Sequence, residues 1–161
     1  MSVANKIVIV TGGAQGIGMA VTMAFARQDA TVFIADLDEE AAAELALTLT
    51  KEACRVHAVR TDVSDEKSVQ RLVAHVLKTA PAIDVLINNA GIQAPARIVD
   101  QQVRHWDLVW RVNVRGAFLC TKLIVPHMIE RRKGTVINIT TAGASGGVRH
   151  GFPGNVSYSI S

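Results

Sequence analysis

The sequence predicts an α/β domain built on a doubly wound parallel sheet. Short apolar runs of strand length alternate with amphipathic stretches of helix length from the N-terminus onward. Several of those runs are continuously apolar, as strands buried on both faces of a parallel sheet must be. A glycine cluster falls directly after the first run and opens the first amphipathic stretch.

Lys6–Val10 reads as the first strand. A helix follows over Ile17–Gln28, with Ile17, Ala20, Val21, Ala24 and Phe25 apolar, and ends at Asp29, which tolerates a left-handed turn. Thr31–Ala35 is the second strand. Asp38–Ala53 is helical, with Ala42, Leu45, Ala46 and Leu49 on one face. Val56–Arg60 is the third strand. Ser64 and the acidic residues after it resemble a helix start, Val69, Leu72, Val73, Val76 and Leu77 make an apolar stripe, and Pro81 ends that helix. Ile83–Ile87 is the fourth strand. One helix is expected over Asp100–Asn113 and a longer one over Val114–Lys133, where Ala117, Phe118, Thr121, Val125, Met128 and Ile129 form a broad face. Thr135–Ile139 is the fifth strand, followed by a glycine-rich loop from Gly143 to Gly154. Right-handed crossovers then imply strand order 3-2-1-4-5, with a ligand crevice at the carboxyl ends of the strands.

A chain of 161 residues is read as one domain. With 49% hydrophobic and 19% charged residues it is neither disordered nor fibrous. Seventeen Lys+Arg against fourteen Asp+Glu give +3, too small a balance to imply nucleic acid without a clustered patch. The basic run Arg131-Arg132-Lys133 reads as a helix C-terminus, its cations complementing the dipole and Gly134 capping the end, rather than as an anion- or nucleic-acid-binding patch. Cys54 and Cys120 are isolated thiols, which suit a reducing compartment. The five histidines have no metal-ligand spacing, so no metal is expected. No apolar run is long enough for a membrane span, and Met1 leads straight toward the first strand without a charged n-region or an apolar h-region. A cytoplasmic placement is the expectation.

The glycine cluster is Thr11-Gly12-Gly13-Ala14-Gln15-Gly16-Ile17-Gly18. Glycines there let the backbone turn tightly and approach a diphosphate, whose charge sits at the helix N-terminus. The alternative, a plain turn, is disfavoured by the strand–turn–helix context. Asp36 ends the second strand, and a carboxylate there can accept from both ribose hydroxyls and repel a 2′-phosphate. No Arg or Lys lies in the glycine loop, where Gln15 is found, so NAD is expected over NADP. Asp62-Val63 follow the third strand, either beside an adenine ring or with Asp62 as the next helix cap. Asn88-Asn89-Ala90-Gly91 ends the fourth strand as a turn that holds backbone groups beside a cofactor.

Taken in order, T-G-x-x-x-G-x-G, Asp62-Val63, Asn88-Asn89-Ala90-Gly91, Asn113 within Arg111-Val112-Asn113-Val114, Asn138-Ile139-Thr140-Thr141 and Tyr158 resemble the short-chain dehydrogenase/reductase family over essentially the whole chain. The resemblance implies a Rossmann-type sheet and reversible hydride transfer between a nicotinamide and a secondary alcohol or ketone. It assigns the cofactor to Gly12, Gln15, Gly16, Ile17, Gly18, Asp36, Leu37, Asp62, Val63, Asn89, Ala90 and Gly91. By the same resemblance Tyr158 is the general acid in reduction and base in oxidation, and Asn113 holds a water in the proton relay. A hydroxyl from Thr141 or Ser145 positions the substrate oxygen. Thr141 fits by counting from the strand, and Ser145 by its separation from Tyr158. The implied partners are a small alcohol or ketone and a second copy of the chain as a homo-oligomer, with no nucleic acid and no membrane.

The family motif is Tyr-x-x-x-Lys, and the sequence reads Tyr158-Ser159-Ile160-Ser161. The lysine would stand at the next position, where its ammonium would favour the phenolate and grip the nicotinamide ribose. A chain without it is expected to be inactive, with later strands missing, an open edge at strand five and a tendency to self-associate. A dinucleotide-binding module without catalysis is the alternative function.

Overall fold

A computed structural model describes residues 2–140. Among them, five strands form one parallel sheet. They are β1 (Ile7–Thr11), β2 (Thr31–Asp36), β3 (Arg55–Arg60), β4 (Val85–Asn88) and β5 (Thr135–Asn138), in order β3-β2-β1-β4-β5. The helices between them are α1 (Gly16–Ala26), α2 (Glu39–Lys51), α3 (Glu66–Thr79), α4 (Val103–Trp110) and α5 (Ala117–Glu130). The order is the one that the alternation of runs predicts.

The period of two along each strand sorts the core into two layers. Ile7 and Ile9 of β1, Phe33 of β2 and Leu86 of β4 face Val69, Leu72, Val76, Leu119, Cys120 and Ile124 of α3 and α5. Val8 and Val10 of β1, Val32 and Ile34 of β2 and Ile87 of β4 join Ala26, Ala42, Leu45 and Leu49 of α1 and α2. A one-residue slip in register would exchange the two layers, so the apolar runs pin Ile9 opposite Phe33 and Leu86.

Helix ends depart from expectation where local hydrogen bonds decide them. Asp38 is the cap of α2, its Oδ1 accepting from Ala41 N–H at 3.0 Å. α3 is capped by Asp65, which accepts from the N–H groups of Lys67 and Ser68, and not by Ser64. Asp29 takes the left-handed conformation expected of it, at φ 62°. Gly134 does not cap α5. Arg132 takes the left-handed position (φ 51°), and Lys133 N–H bonds back to Met128 O at 3.0 Å. Gly134 is small for another reason, since a Cβ there would lie 2.4 Å from Met128 side-chain atoms.

The expected helices over 100–113 and 114–133 are one helical run with a defect. A 3-10 turn (Ile98–Asp100) precedes α4, and a π turn over Arg111–Gly116 joins α4 to α5 without a break. No proline stands at 113–114, and the Asn113 side chain pairs with the Ile92 backbone instead of capping, so the helix runs on. β4 begins two residues later than expected because Asp84 binds Ile7 N–H with its own carboxylate, at 3.0 Å. Among the described residues no helix is long and apolar enough to cross a membrane.

Candidate functional site

The carboxyl ends of β1, β2, β4 and β5, the start of α1 and the π turn surround a cavity of about 970 Å³. Its floor is stitched by Thr11. The Thr11 hydroxyl accepts from Asn89 N–H (3.0 Å) and Ala90 N–H (3.1 Å) and donates to Ile87 O (3.3 Å). Asn89 Nδ2 donates to the carbonyls of Thr11 (3.0 Å) and Gly12 (2.9 Å). The turn after β1 and the turn after β4 are therefore one unit.

The glycine loop fits against that unit at distances no larger residue permits. A Cβ on Gly18 would lie 1.9 Å from Gly12 O and 2.5 Å from Asn89 Nδ2. Gly12 itself is left-handed, at φ 60°. Gly16, Ile17 and Gly18 line the cavity with the first turn of α1, which has neither a side-chain cap nor an acidic residue. Its unpaired N–H groups and the positive end of its dipole suit an anion.

Asp36 lines the cavity from the end of β2. Its Oδ2 accepts from Ala14 N–H at 2.9 Å and its Oδ1 from Asp38 N–H at 3.1 Å. Gln15 Nε2 in turn donates to Asp38 Oδ2 at 3.0 Å, so the loop and the start of α2 are latched together. No lysine or arginine is among the described residues lining the cavity.

Among the other residues expected at the site, Gly12, Gln15, Val63, Asn89, Ala90, Gly91 and Asn113 also line the cavity. Leu37 and Asp62 do not. Leu37 is exposed. Asp62 is not a helix cap, but shapes its own turn: its Oδ1 accepts from Ser64 N–H (2.9 Å) and its N–H donates to Ser68 Oγ (3.0 Å). Asn113 sits in the π turn, a defect common at functional sites. Its amide pairs twice with the Ile92 backbone, accepting from the N–H at 2.9 Å and donating to the carbonyl at 3.1 Å. Thr141, Ser145 and Tyr158 lie outside the described residues.

Thr121 is the polar residue of the cavity wall that sequence spacing does not reveal. Asn88 Nδ2 donates to Thr121 Oγ1 (3.1 Å) and to Asn138 Oδ1 (2.8 Å), joining β4, α5 and β5. Thr121 reads from spacing as part of an apolar face, and only the fold turns it toward two amides. Among the described residues no cluster of three or more His, Cys, Asp or Glu could hold a metal.

The cavity can thus receive an elongated ligand with an anionic middle at α1, a hydroxylated group at Asp36 and a polar end at Asn88 and Thr140. Residues 6–161 match the family profile described as short chain dehydrogenase. The chain is 38% identical over 140 residues to an uncharacterized oxidoreductase of Thermotoga maritima, covering 87% of this chain and 55% of that protein. It is 34% identical over all 161 residues to the 3-oxoacyl-[acyl-carrier-protein] reductase FabG of the same organism, or 64% of that protein. The meso-2,3-butanediol dehydrogenase of Serratia marcescens is 33% identical over 143 residues, 89% of this chain and 56% of that one. The crystal structure of gox2181 superimposes with a TM-score of 0.93 at 31% identity, over 98% of this chain and 61% of the other. The chain therefore spans a little over half to about two thirds of the length of these relatives.

Proposed function

This chain belongs to the short-chain dehydrogenase family, and from that premise we propose that it binds NAD and serves hydride transfer between the nicotinamide and a secondary alcohol or ketone. The residues present suit the cofactor. The uncapped start of α1 would take the diphosphate, and the space that a Cβ on Gly18 would fill is already occupied by Gly12 O. Asp36 would accept from the adenosine ribose hydroxyls with the lone pairs left by Ala14 and Asp38. When bound, the nicotinamide supplies the hydride acceptor or donor.

The observation that carries NAD over NADP is the Asp36 carboxylate in a cavity wall without a described cation. A 2′-phosphate there would meet like charge with nothing to neutralise it. Leu37, Asp62, Val63, Asn89, Ala90 and Gly91 belong to the same proposal, with Asp62 acting through the turn that presents Val63.

The chain's own residues would then order the reacting end. Tyr158 would hold the proton that passes to or from the substrate oxygen. A hydroxyl of Ser145 or Thr141 would hydrogen-bond that oxygen. Asn113 would keep the relay water in register, its side chain anchored by Ile92. Relatives named for a butanediol and for a 3-oxoacyl thioester support a small secondary alcohol or β-keto compound as substrate. The exposed Phe118 and Ile129 on α5 support a homo-oligomer, and the two free cysteines support a reducing cytoplasm.

Titration calorimetry with NAD and NADP tests the cofactor. NAD should bind at least about tenfold more tightly, the cost of one unneutralised like-charge contact. Equal affinities would remove the basis for the assignment. Absorbance of NADH with a panel of secondary alcohols tests turnover in a chain extended through the position after Ser161, where the family motif has its lysine, and binding without turnover there would favour the non-catalytic module.

A further inference from the structure

The end of the sheet remote from that cavity carries a second concavity of about 440 Å³, bordered by the turn before β1, the start of β4 and the end of α5. Four charged side chains line it: Lys6, Asp84, Arg131 and Lys133. Two of them neutralise each other. Asp84 is buried and accepts from Ile7 N–H (3.0 Å) and Arg131 Nη2 (3.1 Å), while Arg131 Nη1 donates to Ile83 O (3.2 Å). This pair is committed to the fold and contributes no net charge.

Lys6 and Lys133 are placed differently. Among the described residues neither forms an ion pair, yet both line the same concavity. The Lys6 ammonium, first by hydrogen bonding and then by like charge, holds the Lys133 amine below the usual lysine range. The Asp84 carboxylate attracts both lysines and offsets part of that repulsion, and an anion in the concavity would offset the rest. The backbone before each lysine is held in the left-handed region, which Asn adopts readily and which Arg132 takes at the end of α5. Asn5 before Lys6 is left-handed at φ 60°, and Arg132 before Lys133 at φ 51°. Asn5 N–H is bonded to Asp29 O and Lys133 N–H to Met128 O, which locks both turns.

We infer that Lys6 and Lys133 form a binding site for a phosphate dianion, walled by the Arg131–Asp84 pair and separate from the dinucleotide cavity. A dianion between the two ammonium groups accepts a charge-assisted hydrogen bond from each and turns their mutual repulsion into attraction. The net charge of the four side chains, +2 with both lysines protonated, matches that of the ligand. Concavity sets the size. The site takes one phosphoryl group, either free phosphate or the terminal group of a small phosphorylated metabolite, and it lacks the extended basic stripe that nucleic acid needs.

The test is NMR titration of the protein with sodium phosphate at constant ionic strength, read at the Lys133 and Gly134 amides, with and without NAD. Sodium chloride and glycerol 3-phosphate are run in parallel. The site predicts saturable shifts that persist with NAD bound and weaken by about tenfold or more in Lys6→Gln and in Lys133→Gln. Lys51→Gln, outside the cavity, should leave them unchanged, and melting temperatures identify any variant that fails to fold. Tighter binding of glycerol 3-phosphate than of phosphate points to a metabolite, and the reverse points to the free ion. Shifts reproduced by chloride, or unaltered in both cavity variants, overturn the inference.

Discussion

The N–H of Ala14 donates to Asp36 Oδ2 at 2.9 Å, so the acid at the end of β2 is anchored by the loop that follows β1. The bond spans 22 residues of sequence and is reinforced from the other side by Asp38 N–H. The carboxylate is thereby presented with fixed geometry and with acceptor capacity to spare.

That geometry makes Asp36 more than a charge. Asp36→Asn keeps the shape but can offer only one acceptor oxygen, and it should weaken NAD binding about tenfold to a hundredfold. Asp36→Ala should lose as much NAD affinity while improving NADP relative to NAD. Calorimetry on both variants measures the change, and unchanged affinity for NAD in both would remove Asp36 from the site.

Gly18→Ala should fail where helix propensity alone favours it. Alanine gains about 1 kcal/mol within a helix, but its Cβ would overlap Gly12 O at 1.9 Å. The expected net loss is about 1–3 kcal/mol, with cofactor binding abolished. Gly16→Ala is the comparison, since no atom lies within 4 Å of its Cβ and its only penalty is a left-handed φ of 51°. That variant should cost roughly 1 kcal/mol. Thermal melts that rank Gly16→Ala as the worse of the two would contradict the contact argument.

The Asp84–Arg131 pair should write itself into acid stability. Burial by itself raises the Asp84 carboxyl, but bonds from Ile7 N–H and Arg131 outweigh it and hold the group below the usual carboxylate range. A depressed folded-state pKa stabilises the fold above the unfolded value, and that contribution is lost as pH falls through the folded one. Stability should therefore decline below about pH 4, the unfolded aspartate value. Arg131→Ala should cost roughly 1–2 kcal/mol near neutrality, discounted because the arginine is partly exposed. It should also shrink the acid-side decline, because the folded-state pKa moves back toward the unfolded value, and Asp84→Asn should remove that contribution altogether. Melting curves across the acid range read all three.

Cys120 should be chemically silent. Burial pushes its thiol up to about 12, so almost none is thiolate at neutral pH. Cys54 is only partly covered. A disulfide reagent should therefore modify one thiol quickly in the native protein and the second only on unfolding. Two fast equivalents without denaturant would show that the α5 layer opens readily.

Local pattern carried the architecture because parallel strands and amphipathic helices write their periods into the chain. β1, β2 and β4 are legible as continuous apolar runs. β5 is less so. Expected as an open edge, it is one edge of the sheet among the described residues, and Ile137 is exposed. The glycine cluster and Asp36 were legible as a site because backbone approach and a carboxylate after a buried strand each need particular residue types. Leu37 and Asp62 enter the site reading by adjacency to Asp36 and Val63, and neither lines the cavity directly.

What the sequence determined by itself is the alternation of elements and the loop that opens the cavity, through local spacing, and the strand order, through the fixed handedness of the crossovers. Tertiary structure alone decided that Asn113 closes on Ile92, that Asn88 reaches Thr121 and Asn138, and that Lys6 and Lys133 share one concavity. Those contacts join segments from 21 to well over 100 residues apart in the chain. Polar groups so far apart leave no mark in local periodicity. Their pairing is set by where the packed layers carry each backbone, and that is known only once the core has closed.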